Sequence, residues 1–366
     1  MGQGGIQTYV RDLLSQFRQY PDIDSVILLL YSQGALFESV ADLGVDIHFI
    51  GTKGAGDIYG LARAIAKVRS LRPDVAHVHV VHPLVGPLLK IAGLPAIYHE
   101  HGGILEPDGV IRGGSPLSRV LSKYAYRSYK RYLAISDYVK QCMGSTITGI
   151  TDRIVTVYNG ADIDLINAIP PVSRTTLPDK WRKDSIAVGI ACRLAPQKDI
   201  GKFLDVAAVL SKHFDNIVFP IVGDGPLRKE LEDKARSLGL AESVLFLGYR
   251  KDAIGIMKHF DVFLFTSAWE AFGLVVIEAM AAGVPVVAVN TTDSAVDEII
   301  DTGLNGYLVE NGNPLNISEC VIRLLEDKML RQSIIDAARK HIYEKFVMAK
   351  TAKNIYQIYV DVVGKN

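Results

Sequence analysis

The chain has 366 residues, 49% hydrophobic and 22% charged, so its length suits two globular domains with ample core. Its 40 basic and 40 acidic side chains cancel, which excludes a globally basic nucleic-acid binder while leaving local patches open. Cys142, Cys192 and Cys320 are far apart, odd in number and without metal-ligand spacing, which fits a reducing, cytosolic setting; no signal peptide and no apolar run of about 20 residues are evident.

The first element, GGIQTYVRDLLSQF, reads as a helix after Gly4-Gly5, with no strand before it. The first strand of a doubly wound sheet is normally central, and its loss leaves unpaired edges in mid-sheet. The expectation is therefore an upstream strand missing from this chain, through a late start codon, or another segment filling the gap; the former is favoured. Apolar strands follow at 25–31, 45–50, 75–80, 96–99, 132–135 and 154–158, with helical patterns such as 59–71 between several of them. Two histidine clusters sit here, HVHVVHP with His77, His79 and His82, and YHEHGG with His99 and His101. On strands His77 and His79 share a face, as do His99 and His101. Zinc is one reading, but both clusters end at predicted strand carboxyl ends with no thiolate near in sequence, so a structural role is favoured for His77 and His79. Next, SRVLSKYAYRSYKRY (118–132) interleaves basic residues with Tyr124, Tyr126, Tyr129 and Tyr132. That mixture suits an anionic membrane surface or a lipid-linked pyrophosphate, with a solvated helix face as the plain alternative.

Residues 168–184, AIPPVSRTTLPDKWRKD, carry prolines and charge without an apolar period and read as a linker. The second half repeats the rhythm, with strands at 186–191, 217–222, 244–247, 262–265 and 286–289. Short β-branched strands alternating with helices give two doubly wound α/β domains. The expected division is an N-terminal domain over 1–167, the linker 168–184, a C-terminal domain over 185–345, and a helix over 346–366 able to pack back on the N-terminal domain. Two DID runs, 22–24 and 162–164, imitate a metal-binding Asp-x-Asp but are explained by turn and cap chemistry.

The stretch WEAFGLVVIEAMAAGVPVVAV (269–289) is strongly apolar, yet holds Glu270 and Glu278, eight residues apart. An unpaired buried carboxylate is costly. With a strand ending at Ser267 and a helix beginning near Phe272 or Gly273, Glu270 falls in a loop at a strand carboxyl end, where open α/β sheets bind ligands. The helix N-terminus beside it offers N–H groups to an anion. Arg193 and Lys198 follow the strand 186–191 and suit the negative charge of a departing diphosphate. An exposed Glu270, a paired Glu278 and a solvated basic loop are the plainer alternatives. Gly223 and Gly225 in VGDGP are not a dinucleotide fingerprint and read as a strand-to-helix turn, near a nucleotide base if one binds.

EAFGLVVIE followed by AMAAGVPVVA resembles the nucleotide-sugar signature of retaining glycosyltransferases of family 4, which have the GT-B fold. ACRLAPQK (191–198), VGDGPLRKELE (222–232), VLFLGYRKDAIGIMKHFDVFLFTS (244–267), VYNGADIDL (157–165) and the Gly4-Gly5 pair agree in order and spacing. The resemblance covers nearly the whole chain and is densest in the second half. It implies that Glu278 holds ribose hydroxyls and Glu270 holds sugar hydroxyls beside the Phe272–Gly273–Leu274 backbone. It further implies that Arg193 and Lys198 bracket the diphosphate, that Gly4 and Gly5 admit the donor closely, and that His101 touches the donor sugar, with His99 and Glu100 as alternatives. The implied activity is retaining transfer of a hexose or N-acetylhexosamine from a UDP- or GDP-sugar to a glycan or lipid-linked hydroxyl, in cell-surface polysaccharide or lipopolysaccharide synthesis. The implied setting is cytoplasmic, free or peripheral on the inner membrane face, with no cofactor, no metal and no nucleic-acid partner. A nucleotide-sugar epimerase or hydrolase of the same fold, or a non-catalytic nucleotide-sugar-binding protein, are the alternatives.

Overall fold

The computed structural model describes residues 5–30, 40–53, 57–79, 84–102 and 125–364. In chain order the elements are α1 (Gly5–Phe17), β1 (Val26–Leu29), β2 (Asp46–Phe49), α2 (Ile58–Leu71), β3 (Ala76–Val78), α3 (Val85–Ile91), β4 (Ala96–Glu100), β5 (Arg131–Ala134), α4 (Asp137–Thr146) and β6 (Ile154–Thr156). There follow α5 (Ile163–Ala168), β7 (Ile186–Ala191), α6 (Ile200–Leu210), β8 (Ile217–Val222), α7 (Arg228–Ser237), β9 (Val244–Gly248), α8 (Ala253–Met257) and β10 (Val262–Phe265). The last are α9 (Leu274–Ala281), β11 (Val286–Asn290), β12 (Tyr307–Glu310), α10 (Pro314–Glu326), α11 (Lys328–Lys345) and α12 (Met348–Val363).

The chain packs as two units. Unit 1 comprises Met1–Gly160 with Met348–Asn366, and unit 2 comprises Ala161–Val347. In unit 1, Tyr9, Leu13 and Phe17 recur at four-residue spacing on one face of α1. They join Ile97, Leu133 and the α12 residues Met348, Ala352, Ile355 and Ile358 in one core. Among the described residues, unit 1 has two separate parallel sheets, β1–β2 and β3–β4–β5–β6, and no strand joins β1 to β3. Strand β4 is buried along its whole length, as a strand paired on both sides and covered on both faces must be.

Unit 2 is one six-stranded parallel sheet in the order β12–β11–β10–β7–β8–β9. Strands β7, β8 and β10 occupy the spans expected from their unbroken apolar runs. Strand β12 was not anticipated. Val188, Ile190, Phe203, Leu204, Phe219, Ile221, Leu264 and Val287 form the centre of its core, all almost fully buried. Each such side chain contributes about 1.5–3 kcal/mol relative to exposure.

Two expectations need correction. Residues 168–184 are packed on unit 2 and are not a free linker. Trp181 is buried against the Phe260 ring at 5.9 Å, Val172 N donates to Gly255 O, and Lys258 Nζ donates to Ile169 O. Burying one tryptophan and satisfying backbone groups needs no repeating apolar pattern, so the sequence period was silent. The tyrosines of 118–132 are likewise misread where they are described. Tyr126, Tyr129 and Tyr132 are 3%, 2% and 0% exposed, inside unit 1, and so do not face a membrane. The Tyr132 hydroxyl donates to Tyr126 O, and Arg153 Nη1 donates to Tyr129 O at 2.8 Å. Tyr132 lies on β5, and Tyr126 and Tyr129 lie in the segment leading into it. Residues 118–124 lie outside the described residues. Among the described residues no helix is long and apolar enough to cross a membrane.

Candidate active site

In unit 2 the chain runs outward from β7 through β8 to β9, then returns to β10 on the other side of β7 and continues to β11 and β12. β7 and β10 are therefore neighbours, paired at Val262 with Val188 and Phe263 with Gly189, where the strand order reverses. The loops after these two strands leave from the same sheet edge at the switch point, the favoured ligand position in such sheets. One loop carries Arg193 and Lys198; the other carries Glu270.

The two loops are bonded to one another. Ala268 N donates to Gln197 O at 2.8 Å, Gln197 Nε2 donates to Trp269 O at 3.1 Å, and the Thr266 hydroxyl donates to Lys198 O at 2.9 Å. At their junction Lys198 Nζ forms a salt bridge with Glu270 Oε2, both side chains being less than a fifth exposed (17% and 15%). The ammonium also lies 6.0 Å from the centre of the Phe265 ring. So the carboxylate that looked misplaced in an apolar stretch is met by a cation 72 residues earlier in the chain. Removing one partner of so buried a pair strands the other charge. The backbone of Glu270 is fixed too: its N–H donates to Asp293 O at 3.0 Å and its O accepts from Ala295 N at 2.9 Å.

Glycines shape the Arg193 side of the site. Gly223 has φ +133°, and a Cβ there would lie 1.9 Å from Cys192 O; at Gly225 it would lie 2.3 Å from Leu194 O. Only glycine allows the 223–225 turn to press so closely on the 192–195 loop. The contact is completed by Leu194 N donating to Asp224 O at 3.1 Å and Leu227 N donating to Leu194 O at 3.2 Å. Leu194 is buried by this arrangement, while Arg193 next to it is exposed. The Arg193 guanidinium has no hydrogen bond or ion pair among the described residues. Burial holds the Cys192 thiol up at about 12, so it stays protonated and is no nucleophile.

Helix α9 begins at Leu274, with Gly273 as its left-handed N-cap (φ +101°) and no side-chain cap. Phe272 is buried and packs edge-on against Phe346 at 5.6 Å, which anchors the turn. Glu278 lies one turn into α9 and is half-buried. Glu270, Phe272, Gly273, Leu274 and Glu278 thus belong to one loop-and-helix segment, which the β10 carboxyl end joins to Arg193 and Lys198. Gly223 stands behind Arg193 as its support.

The unit 1 candidates form a second group. Gly4 lies outside the described residues, and Gly5 opens α1. His77 and His79 of the β3 region meet His99 and His101 of the β4 region in a stack of rings. His77 Nε2 is hydrogen-bonded to His99 Nδ1 at 3.2 Å, and His79 Nδ1 to His101 Nε2 at 3.1 Å. His77 Nδ1 is 2.6 Å from the Tyr359 hydroxyl of α12. Burial holds all four imidazoles below the ordinary range, His79 at about 4, so the rings are uncharged at neutral pH. Glu100 turns elsewhere, accepting from the Tyr98 hydroxyl at 2.8 Å and Gly102 N at 2.6 Å. The Asp-x-Asp runs are structural: Asp162 caps α5 by accepting from Leu165 N at 2.9 Å, and Asp22 accepts from the Tyr356 hydroxyl at 2.6 Å.

Sequence reasoning missed Gln197, Thr266 and the 291–295 loop, which brace Lys198 and Glu270. The available signal was topological: Thr291 and Asp293 follow β11, whose carboxyl end adjoins that of β10 once the sheet order is known.

Residues 174–341 match the family described as glycosyl transferases group 1, and residues 3–165 match the one described as glycosyltransferase family 4. An uncharacterized glycosyltransferase of Methanocaldococcus jannaschii is 30% identical over 315 residues, 80% of this chain and 77% of that protein. An Escherichia coli protein named UDP-Gal:alpha-D-GlcNAc-diphosphoundecaprenol alpha-1,3-galactosyltransferase is 23% identical over 96% of this chain and 92% of its own length. The crystal structure of Anabaena HepE in complex with UDP-glucose superimposes with a TM-score of 0.81 at 22% identity, covering 98% of this chain and 97% of that one.

Proposed function

Since the chain belongs to the family 4 glycosyltransferases, of GT-B fold, we propose that it moves a hexose or N-acetylhexosamine from a nucleoside diphosphate sugar to a hydroxyl of a glycan or lipid-linked acceptor, with retention at the anomeric carbon. The observation that carries this reading is the Lys198–Glu270 pair at the β7–β10 switch point, with Arg193, unpaired among the described residues, on the same loop as Lys198. On this reading Arg193 and Lys198 stabilise the diphosphate as negative charge develops on it. Glu270 accepts hydrogen bonds from sugar hydroxyls and Glu278 from the ribose, each charge-assisted bond contributing about 1.5–3 kcal/mol. The uncapped α9 N-terminus with Phe272, Gly273 and Leu274 receives the remaining donor oxygens.

No carboxylate in the group is placed as a nucleophile, so the proposed route is attack by the acceptor hydroxyl on the face the diphosphate leaves. The departing phosphate oxygen then takes the acceptor's proton. Two fixed cations serve the leaving group, and the proposal needs no metal or cofactor for transfer. Unit 1 is assigned the acceptor. The names of the relatives make UDP-galactose and UDP-glucose the first donors to try, and polysaccharide, lipopolysaccharide or glycolipid assembly the pathway.

The test is a panel of UDP- and GDP-sugars scored for binding and for turnover with and without acceptor. Fast turnover only with acceptor supports a transferase. Fast turnover of donor alone would assign the chain to hydrolysis or epimerisation, and binding without any turnover would make it a sugar-nucleotide carrier.

A further inference from the structure

The donor-site reading leaves three imidazoles of unit 1 without a task. His77, His79 and His99 each bring one ring nitrogen to within 4.8 Å of the other two. The strand register explains how. β3 and β4 are adjacent and parallel, with His77 level with Ile97, so side chains two residues further along each strand fall on the same face. We propose that His77, His79 and His99 form a binding site for a transition-metal ion of the zinc class, held through neutral imidazole nitrogens.

The geometry fits such an ion in two respects. The His77 Nε2 to His99 Nδ1 separation is 3.2 Å, close to the ~3.3 Å expected between two nitrogens bound to one tetrahedral ion by bonds of about 2.0–2.1 Å. Two ligands have partners on their other nitrogen: His77 Nδ1 meets the Tyr359 hydroxyl at 2.6 Å, and His79 Nδ1 meets His101 Nε2 at 3.1 Å. Such outer bonds fix the tautomer and aim the free nitrogen inward.

The donor set also selects the ion. Three imidazoles and no carboxylate suit Zn2+, Co2+ or Cu2+ and disfavour Mg2+ and Ca2+, which take oxygen ligands. Glu100, the nearest carboxylate on β4, is bonded to Tyr98 and Gly102. Neutral imidazole is the coordinating form. Three protein ligands leave a fourth position for water. The ion ties β3 to β4 and, through Tyr359, to α12. It has no part in the proposed transfer step, whose cations are on unit 2.

The probe is Co2+, added to the untagged full-length chain. One equivalent should give the visible absorption of a four-coordinate ion, and X-ray absorption should show imidazole nitrogens around it. Zn2+ should displace it and Mg2+ should not. His77→Gln and His79→Gln should each weaken Co2+ binding by tenfold or more, and Tyr359→Phe by roughly tenfold. His213→Gln, at an exposed residue paired with Glu326, should leave it unchanged. An oxygen-only ligand sphere, no visible band with Co2+ in excess, or unchanged affinity in both histidine variants would overturn the proposal. The first two readouts need only the parent protein, so a variant that fails to fold does not protect the idea. None of these measurements depends on transfer, so failure of this site and failure of the transferase reading are separable.

Discussion

The two units solve opposite electrostatic problems with similar sheets. Unit 2 places full charges at its switch point, with Lys198 and Glu270 neutralising each other inside the fold and Arg193 kept at the surface. Unit 1 gathers four ionisable rings and keeps them uncharged by burial. A buried charge pair stands ready to exchange partners with a charged ligand, whereas buried neutral rings offer lone pairs and shed protons. The lesson is that a polar cluster's chemistry follows from how its burial cost is met, more than from residue type.

The comparison can be broken at several points. The largest effect is expected at Gly223→Ala, where a positive φ adds strain of roughly 1–3 kcal/mol to an overpacking of roughly 1–3 kcal/mol against Cys192 O. Chemical denaturation should show unit 2 destabilised and unit 1 untouched. A variant as stable as the parent would mean that the turn relaxes freely and does not support Arg193.

Next, Glu270→Ala should lower kcat/KM for transfer by about 10²–10³-fold, about 2.7–4 kcal/mol. Steady-state kinetics beside a circular dichroism spectrum of the parent type would check it. Unchanged kinetics would remove Glu270 from the site.

Acid should then separate the units. The unit 1 histidines have lowered folded-state values, so the unfolded chain binds more protons below its own value near 6.5. Their stabilisation is complete above about pH 6.5 and is lost as pH falls, through about 4 for His79. His79 alone contributes on the order of 3 kcal/mol across that window. Hydrogen exchange at pH 7 and pH 5 should show protection falling in β4 more than in β7; equal losses would dissolve the contrast.

Arg193→Ala is expected to cost transfer about 10–100-fold while shifting stability by no more than about 0.5 kcal/mol, since the side chain has no partner among the described residues. A stability loss larger than the kinetic one would make it structural. Smallest of all, Asp162→Ala removes the α5 cap and should cost about 1 kcal/mol, measured by urea midpoint, with kinetics unaltered.

Most of unit 2 was legible because buried parallel strands read as unbroken apolar runs, and 186–191, 217–222 and 262–265 needed nothing else. Strand β12 was not, since of its four residues only Val309 is buried, on an edge strand that follows a turn. Arg193, Lys198 and Glu270 could be placed at strand ends, but their meeting depended on β10 lying next to β7, a fact no local pattern carries. The four histidines were visible as two pairs on two strands; that the strands are neighbours, and in this register, is again long-range information. Tyr126, Tyr129 and Tyr132 failed for the opposite reason. Their amphipathic chemistry allowed two environments, and packing chose the interior.

Helix α12 returns to unit 1 after all of unit 2 has intervened, and it supplies four residues of the core that holds α1. During synthesis, at roughly 5–20 residues per second, the usual order is that the earlier unit folds first. Here the later-made unit can close while the earlier one still lacks a wall of its core. The tyrosine that steadies His77 arrives with that wall, so the histidine cluster is among the last parts of the newborn chain to take shape.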